Sequence, residues 1–164
     1  MRTVIGVMGG AFVDESVLHN AREIGRLIAE QEFVLLTGGR NAGVMAEASH
    51  GANEAGGLVI GILPGDTAAN VAPHVDVAIV TDMGDGRNVI NVLSSRVVVA
   101  LPGGPGTVSE IALALKAGRP VVLLGFPLGV PFGPQYERGQ LVDARTPHEA
   151  ITAVLSFLSA EEGA

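Results

Sequence analysis

Residues Val97 to Ala117 read VVVALPGGPGTVSEIALALKA, and this stretch decides the fold. Apolar, mostly β-branched residues run into a loop of three glycines and two prolines, and a helical pattern follows at once. Such a passage is a buried strand, a tight turn with bare backbone, and a helix whose first N–H groups lack partners within the helix. Those groups carry the positive end of the helix dipole, so the turn favours an anion. Gly103, Gly104 and Gly106 present no side chain that would hold a ligand off the backbone, and Thr107 is placed to cap the helix while offering a hydroxyl. Thr107-x-x-Glu110 also has the form of a capping box, in which the glutamate reaches back to the cap's own N–H. On a helical wheel Glu110 shares a side with Leu113, Ala114 and Ala117, opposite Val108, Ile111, Ala112 and Leu115. A carboxylate in the first turn of a helix so enclosed is a candidate for a functional role.

Working outward, neither standard phosphate loop is present. No GK[ST] follows the glycines, and the first strand reads Gly6-Val7-Met8-Gly9-Gly10 rather than GxGxxG, which argues against nucleotide triphosphate hydrolysis and NAD binding. Thr3 to Met8 reads as a buried strand, followed by the Gly9-Gly10 loop and an amphipathic helix from Asp14 carrying Val17, Ala21, Ile24 and Ile28 on one face. Phe33 to Leu36 is a second strand, Thr37 to Gly43 a second glycine loop containing Gly38, Gly39 and Arg40, and Val44 to Ala55 a helix of small residues. Leu58 to Leu63 and Val75 to Val80 are further strands, and the helix after the loop Thr81 to Asn88 aligns Arg87, Asn88, Asn91 and Ser95 as a polar stripe that lines a site. Val121 to Leu124, a long Pro- and Gly-rich loop from Gly125 to Gly139 suited to a lid or an edge cover, and a short strand at Leu141-Val142 come next. Thr146-Pro147-His148-Glu149 then opens a terminal helix through Leu158. Strands alternating with helices, and apolar throughout, give an α/β Rossmann-like sandwich: a mostly parallel sheet covered by helices on both faces, with its ligand at the carboxyl ends of the strands. The loops Gly38 to Gly43, Asp82 to Arg87 and Pro102 to Thr107 all follow strands, so they converge on one rim.

Composition fits one domain over residues 1–164, with 48% hydrophobic residues to fill a core. No apolar run reaches membrane length and the start has no signal-peptide form, which reads as a cytoplasmic protein without a membrane partner. A formal charge of −7 argues against nucleic acid. Cysteine is absent, and His19, His50, His74 and His148 are scattered without metal-ligand spacing, so no metal site is expected. The single lysine, Lys116, lies near the end of the helix after the glycine loop, too far from it to form a Schiff base with pyridoxal phosphate.

Pro102-Gly103-Gly104-Pro105-Gly106-Thr107-Val108-Ser109-Glu110 is similar to the PGGxGTxxE pattern of the Lonely Guy (LOG) family, and Gly38-Gly39-x-x-x-Gly43-x-Met45 resembles that family's earlier GGGxxGLMG loop. The resemblance covers most of the chain. It implies a Rossmann-like homodimer or homotetramer and cleavage of the N-glycosidic bond of cytokinin riboside 5′-monophosphates. In that nucleoside 5′-monophosphate phosphoribohydrolase reading the catalytic residues are Arg87, which steadies the ligand, and Glu110, which stabilises an oxocarbenium-like ribose or helps activate water. Asn88 stands where the family carries lysine, Pro105 replaces an aromatic residue, and the loop Asp82-Met83-Gly84-Asp85-Gly86 before Arg87 is one residue longer than the stretch before the arginine in the family's DMHER and lacks its histidine. DMGDGRNxxN with PGGPGT looks more like a sister branch of short LOG-like proteins that includes molybdenum cofactor carrier proteins. That branch implies binding of a small phosphorylated heterocycle, with the molybdenum cofactor as cargo, at Gly9, Gly10, Gly38, Gly39, Arg40, Arg87, Asn88, Gly103, Gly104, Gly106 and Thr107. A scaffold that kept the fold alone is the third alternative. The small, apolar side of Leu113, Ala114 and Ala117 is the expected subunit contact.

Overall fold

The structure, a computed structural model, describes residues 1–128 and 132–162. In chain order its elements are β1 (Val4–Met8), α1 (Glu15–Glu30), β2 (Val34–Thr37), α2 (Gly43–Glu54), β3 (Val59–Leu63), β4 (Val77–Val80), a 3-10 turn (Gly84–Gly86), α3 (Arg87–Ser94), β5 (Val97–Ala100), α4 (Pro105–Lys116), β6 (Val121–Leu124), α5 (Gly133–Glu137), β7 (Leu141–Ala144) and α6 (Pro147–Glu162). The seven strands form one Rossmann-like sheet in the order β4-β3-β2-β1-β5-β6-β7. Every strand pairing in it is parallel, with Ile5 opposite both Leu35 and Val97.

Alternate side chains of the central strands leave the sheet on opposite faces, and each set meets its own helices. Ile5, Val7, Leu35, Val97 and Val99 pack with Ile24 and Ile28 of α1, Val44 and Ala48 of α2, and Ala150 and Val154 of α6. Met8, Leu36, Val98, Ala100 and Leu123 pack on the other face with Val92 of α3 and Ile111, Ala114 and Leu115 of α4. Strand order reverses direction between β1 and β5. In an open parallel sheet the loops leaving two such strands diverge to opposite faces, which opens a crevice above their carboxyl ends.

The structure departs from the sequence expectations in four places. The fourth strand begins at Val77, because the Asp76 carboxylate accepts the Val59 N–H at 2.8 Å and so closes the start of β3. As an edge strand it is exposed along its whole length, so apolar side chains did not mean cover on both faces here. The stretch 125–139 is not loop throughout: it contains α5, with Phe132 and Tyr136 packed on the second core face. The choice between a lid and an edge cover, left open by the sequence, also falls on residues 129–131, which lie outside the described residues. The last strand extends to Ala144, and α6 begins as expected, with Thr146 Oγ1 accepting the Glu149 N–H at 3.2 Å.

Candidate functional site

Pro105 occupies the first turn of α4, and Gly104 is its N-cap. Proline fixes φ near the helical value and has no N–H to satisfy, so the helix starts two residues before the expected cap. Thr107 therefore lies inside the first turn, buried, and neither it nor Glu110 serves as a cap. The Glu110 carboxylate turns inward instead and accepts a hydrogen bond from Asn91 Nδ2 at 2.8 Å. Ser109 donates to the Gly106 carbonyl at 2.7 Å and accepts from Asn88 Nδ2 at 3.2 Å, which ties the start of α3 to the start of α4.

The loops after β1, β2 and β5 meet above the switch point. The Gly10 N–H donates to the Pro102 carbonyl and the Val44 N–H to the Gly10 carbonyl, both at 3.0 Å, so the three loops are stitched by backbone bonds. Between them lies a cleft of about 180 Å³. Gly9, Gly10, Ala11, Gly38, Arg40, Met45, Asp85, Arg87, Asn88, Gly104, Pro105, Gly106, Thr107 and Glu110 line it, with Val7 and Met8 at the end of β1.

Arg87 is the dominant charge in this cleft, and it is only 8% exposed. Its guanidinium lies against Gly38, where any Cβ would collide with it. Its Nε is buried without a hydrogen-bond partner. Burial pushes the guanidinium below its ordinary pKa, opposed by the charge of Glu110, reinforced by Arg40 and opposed again by Asp85. It remains a cation, because arginine does not deprotonate in proteins. Burial raises the Glu110 carboxyl above its ordinary value, against the Asn91 hydrogen bond and the Arg87 charge, which both favour the ionised form. Asn91 Oδ1 is also buried without a partner.

Of the residues singled out from sequence, Gly9, Gly10, Gly38, Arg40, Arg87, Asn88, Gly104, Gly106, Thr107 and Glu110 come together on the cleft wall. Gly39 and Gly103 do not line it. Gly39, at φ +73°, backs onto Gly61 of β3, and Gly103 packs beside Thr107 and the Gly10 backbone. Sequence reasoning did not single out Val7, Met8, Ala11, Met45, Asp85 and Pro105 as lining residues. Met45 stands within the second glycine motif, two residues after Gly43, and that spacing was the available signal. Lys116, at the end of α4, borders a separate apolar groove with Val89, Val92, Leu93, Leu113 and Ala117.

A doubly wound parallel sheet with a polar cleft at its switch point defines a Rossmann-like α/β fold with its candidate site where that fold class places ligands. The chain belongs to the SLOG cluster4 family, whose model matches residues 2–151. It is similar to the molybdenum cofactor binding protein of Rippkaea orientalis, with 46% identity, a TM-score of 0.87, and coverage of 96% of this chain and 98% of that one. Similarity to the molybdenum cofactor carrier protein of Chlamydomonas reinhardtii is equally close, at 46% identity and a TM-score of 0.88 over 97% of this chain and 99% of that one. A cytokinin riboside 5′-monophosphate phosphoribohydrolase of Rhodococcoides fascians is 34% identical over 94 residues, which span 55% of this chain and 47% of that protein. Among the described residues no helix is long and apolar enough to cross a membrane.

Proposed function

We propose that this chain is a carrier or storage protein for the molybdenum cofactor, which it holds by the phosphate group and releases unchanged. The observation that carries the reading is Arg87, a buried cation whose Nε has no hydrogen-bond partner among the described residues, beside the first turn of α4. Leaving a charged donor unsatisfied is costly unless a ligand completes it, and an anion at a helix N-terminus does so. Gly104 and Gly106 support the same reading. A Cβ on either would meet nothing within 4 Å, and neither has a positive φ, so folding does not explain glycine there. Close approach of a ligand to their amides does. The likeness to molybdenum cofactor proteins over nearly the whole chain favours that cargo over a nucleotide.

In this reading Arg87, Arg40, Asn88, Thr107 and the amides of Gly104 and Gly106 hold the phosphate, while Gly9, Gly10 and Gly38 let the ligand lie close to the loops. Gly39 and Gly103 act behind that surface, shaping the loops. Residues 1–164 work as one domain in the cytoplasm. A homodimer or homotetramer forms through the apolar groove between α3 and α4. Ala114, expected at that contact, is fully buried in the core, so Leu113 and Ala117 carry it together with Val89 and Leu93.

One observation supports a second reading. Glu110 places a carboxyl in the cleft at a fixed position, as a phosphoribohydrolase would need. The test separates the two. The purified protein is incubated with molybdenum cofactor under air and, separately, with AMP. Protection of the cofactor without release of adenine is expected. Adenine release that disappears in Glu110→Ala would overturn the carrier reading. Gly106→Ala should fold at least as stably as the wild type, since alanine in a compatible helical position adds about 0.4–1 kcal/mol, yet bind cofactor more weakly.

A further inference from the structure

Phe12 is 98% exposed. It follows Ala11 of the cleft wall, on the loop between β1 and α1. The chain has five phenylalanines, one tyrosine and no tryptophan. Phe33 and Phe157 pack against one core face, and Phe126, Phe132 and Tyr136 against the other. Phe12 is thus the aromatic ring that no core cluster claims among the described residues, and it is the next residue after one that lines the cleft.

The loop, rather than the ring, keeps it there. On one side Gly10 is bonded through both its N–H and its carbonyl to neighbouring loops. On the other, Val13 packs into the core and α1 begins at Glu15. The ring therefore makes no packing contribution to either core face and is free to meet a ligand.

Sites for small organic ligands enclose roughly 300–1,000 Å³, whereas this cleft offers about 180 Å³. The cleft takes a phosphate and the atoms joined to it but is too small to enclose a fused ring system as well, so the rings extend past its wall. The rim toward Arg40, Asn41 and Asn70 is polar. Next to Ala11 of the wall, Phe12 offers an exposed aromatic face, and such a face stacks on flat heterocycles largely without regard to their hydrogen-bonding edges.

We infer that Phe12 is the residue on which the ring system of the bound ligand stacks, while the phosphate is held at the start of α4. This rests on the phosphorylated-heterocycle reading and adds the residue that selects a planar ligand over a bare phosphate.

The full chain and its Phe12→Ala, Phe12→Leu and Phe12→Tyr variants are titrated with 6-hydroxymethylpterin phosphate and with inorganic phosphate, with a thermal melt of each. Phe12→Ala should weaken the pterin phosphate roughly 5- to 100-fold and leave inorganic phosphate within about twofold, with an unchanged melt, because the ring supports nothing in the fold. Phe12→Tyr should restore the affinity and Phe12→Leu should not. Equal pterin affinity in Phe12→Ala and wild type overturns the inference while leaving the carrier reading intact. Full retention in Phe12→Leu, or parallel loss of both probes in Phe12→Ala, also overturns it. A wild type that binds phosphate but not the pterin phosphate sinks this inference and the carrier reading together, and one that binds neither removes the anion site as well.

Discussion

The two sides of α3 reverse the usual order of a surface helix. Its inner side carries Arg87, Asn88 and Asn91, all buried, while its outer side carries Val89 and Leu93, 41% and 52% exposed. An ordinary surface helix places its apolar stripe against the core and its polar residues in water. Here Val92 alone keeps that arrangement among the residues of α3 buried in the core cluster. The inversion agrees with the proposed function, in which the inner side faces a crevice for a charged ligand and the outer side a second copy of the chain. Buried polarity and exposed apolarity on one short helix thus point to two kinds of partner.

Removing the cation on the inner side should have the largest effect. Arg87→Met should weaken binding of a phosphorylated pterin by about 2–5 kcal/mol, the range for losing a buried hydrogen-bonded charge pair. The same variant should change the stability of the ligand-free protein much less, because the relief of desolvating the guanidinium is offset by the loss of its attraction to Glu110. Calorimetric titration and a thermal melt read the two effects, and a variant that loses stability without losing affinity would break the comparison. Next comes Asn91→Ala, which removes the donor to Glu110 and should lower unfolding stability by about 1–3 kcal/mol in a denaturant titration.

The third effect depends on pH. The unfolded chain releases the Glu110 proton near the ordinary value of 4.5, whereas burial makes the folded chain hold it to higher pH. This group's contribution is therefore fully present at pH below 4.5 and is lost as pH rises toward the folded value, with a slope of at most about 1.4 kcal/mol per pH unit. Glu110→Gln keeps an acceptor for Asn91 and removes the titration, so its stability should be flatter across that window in denaturant unfolding. The smallest effect on stability belongs to the outer side. Leu93→Ser should change monomer stability by no more than about 0.5 kcal/mol, yet shift sedimentation toward the monomer. An unchanged sedimentation profile would leave the outer groove without its proposed role.

Much of the site was readable before the fold was known. Glycine loops after apolar strands mark a βα rim, and the spacing of Arg87, Asn88 and Asn91 marks one side of a helix. What was not readable came from contacts between distant segments. Glu110 sits three residues after a threonine, as in a capping box, but its partner is Asn91, nineteen positions away. Ala114 looks like a surface contact on a helical wheel, and the second core face claims it. Phe12 carries no local signal at all, because nothing in its neighbours' identities shows that the ring is left in water.

The order of strands and helices, the parallel sheet and the phosphate-favouring turn follow from periodicity and from glycine and proline chemistry, which act over a few residues. The tertiary structure decided where α4 meets α3, which glycines face the cleft and which stand behind it, and that β4 is an open edge. Those outcomes depend on which surfaces remain to be buried once seven strands have paired, and that is a property of the assembled sheet rather than of any one segment.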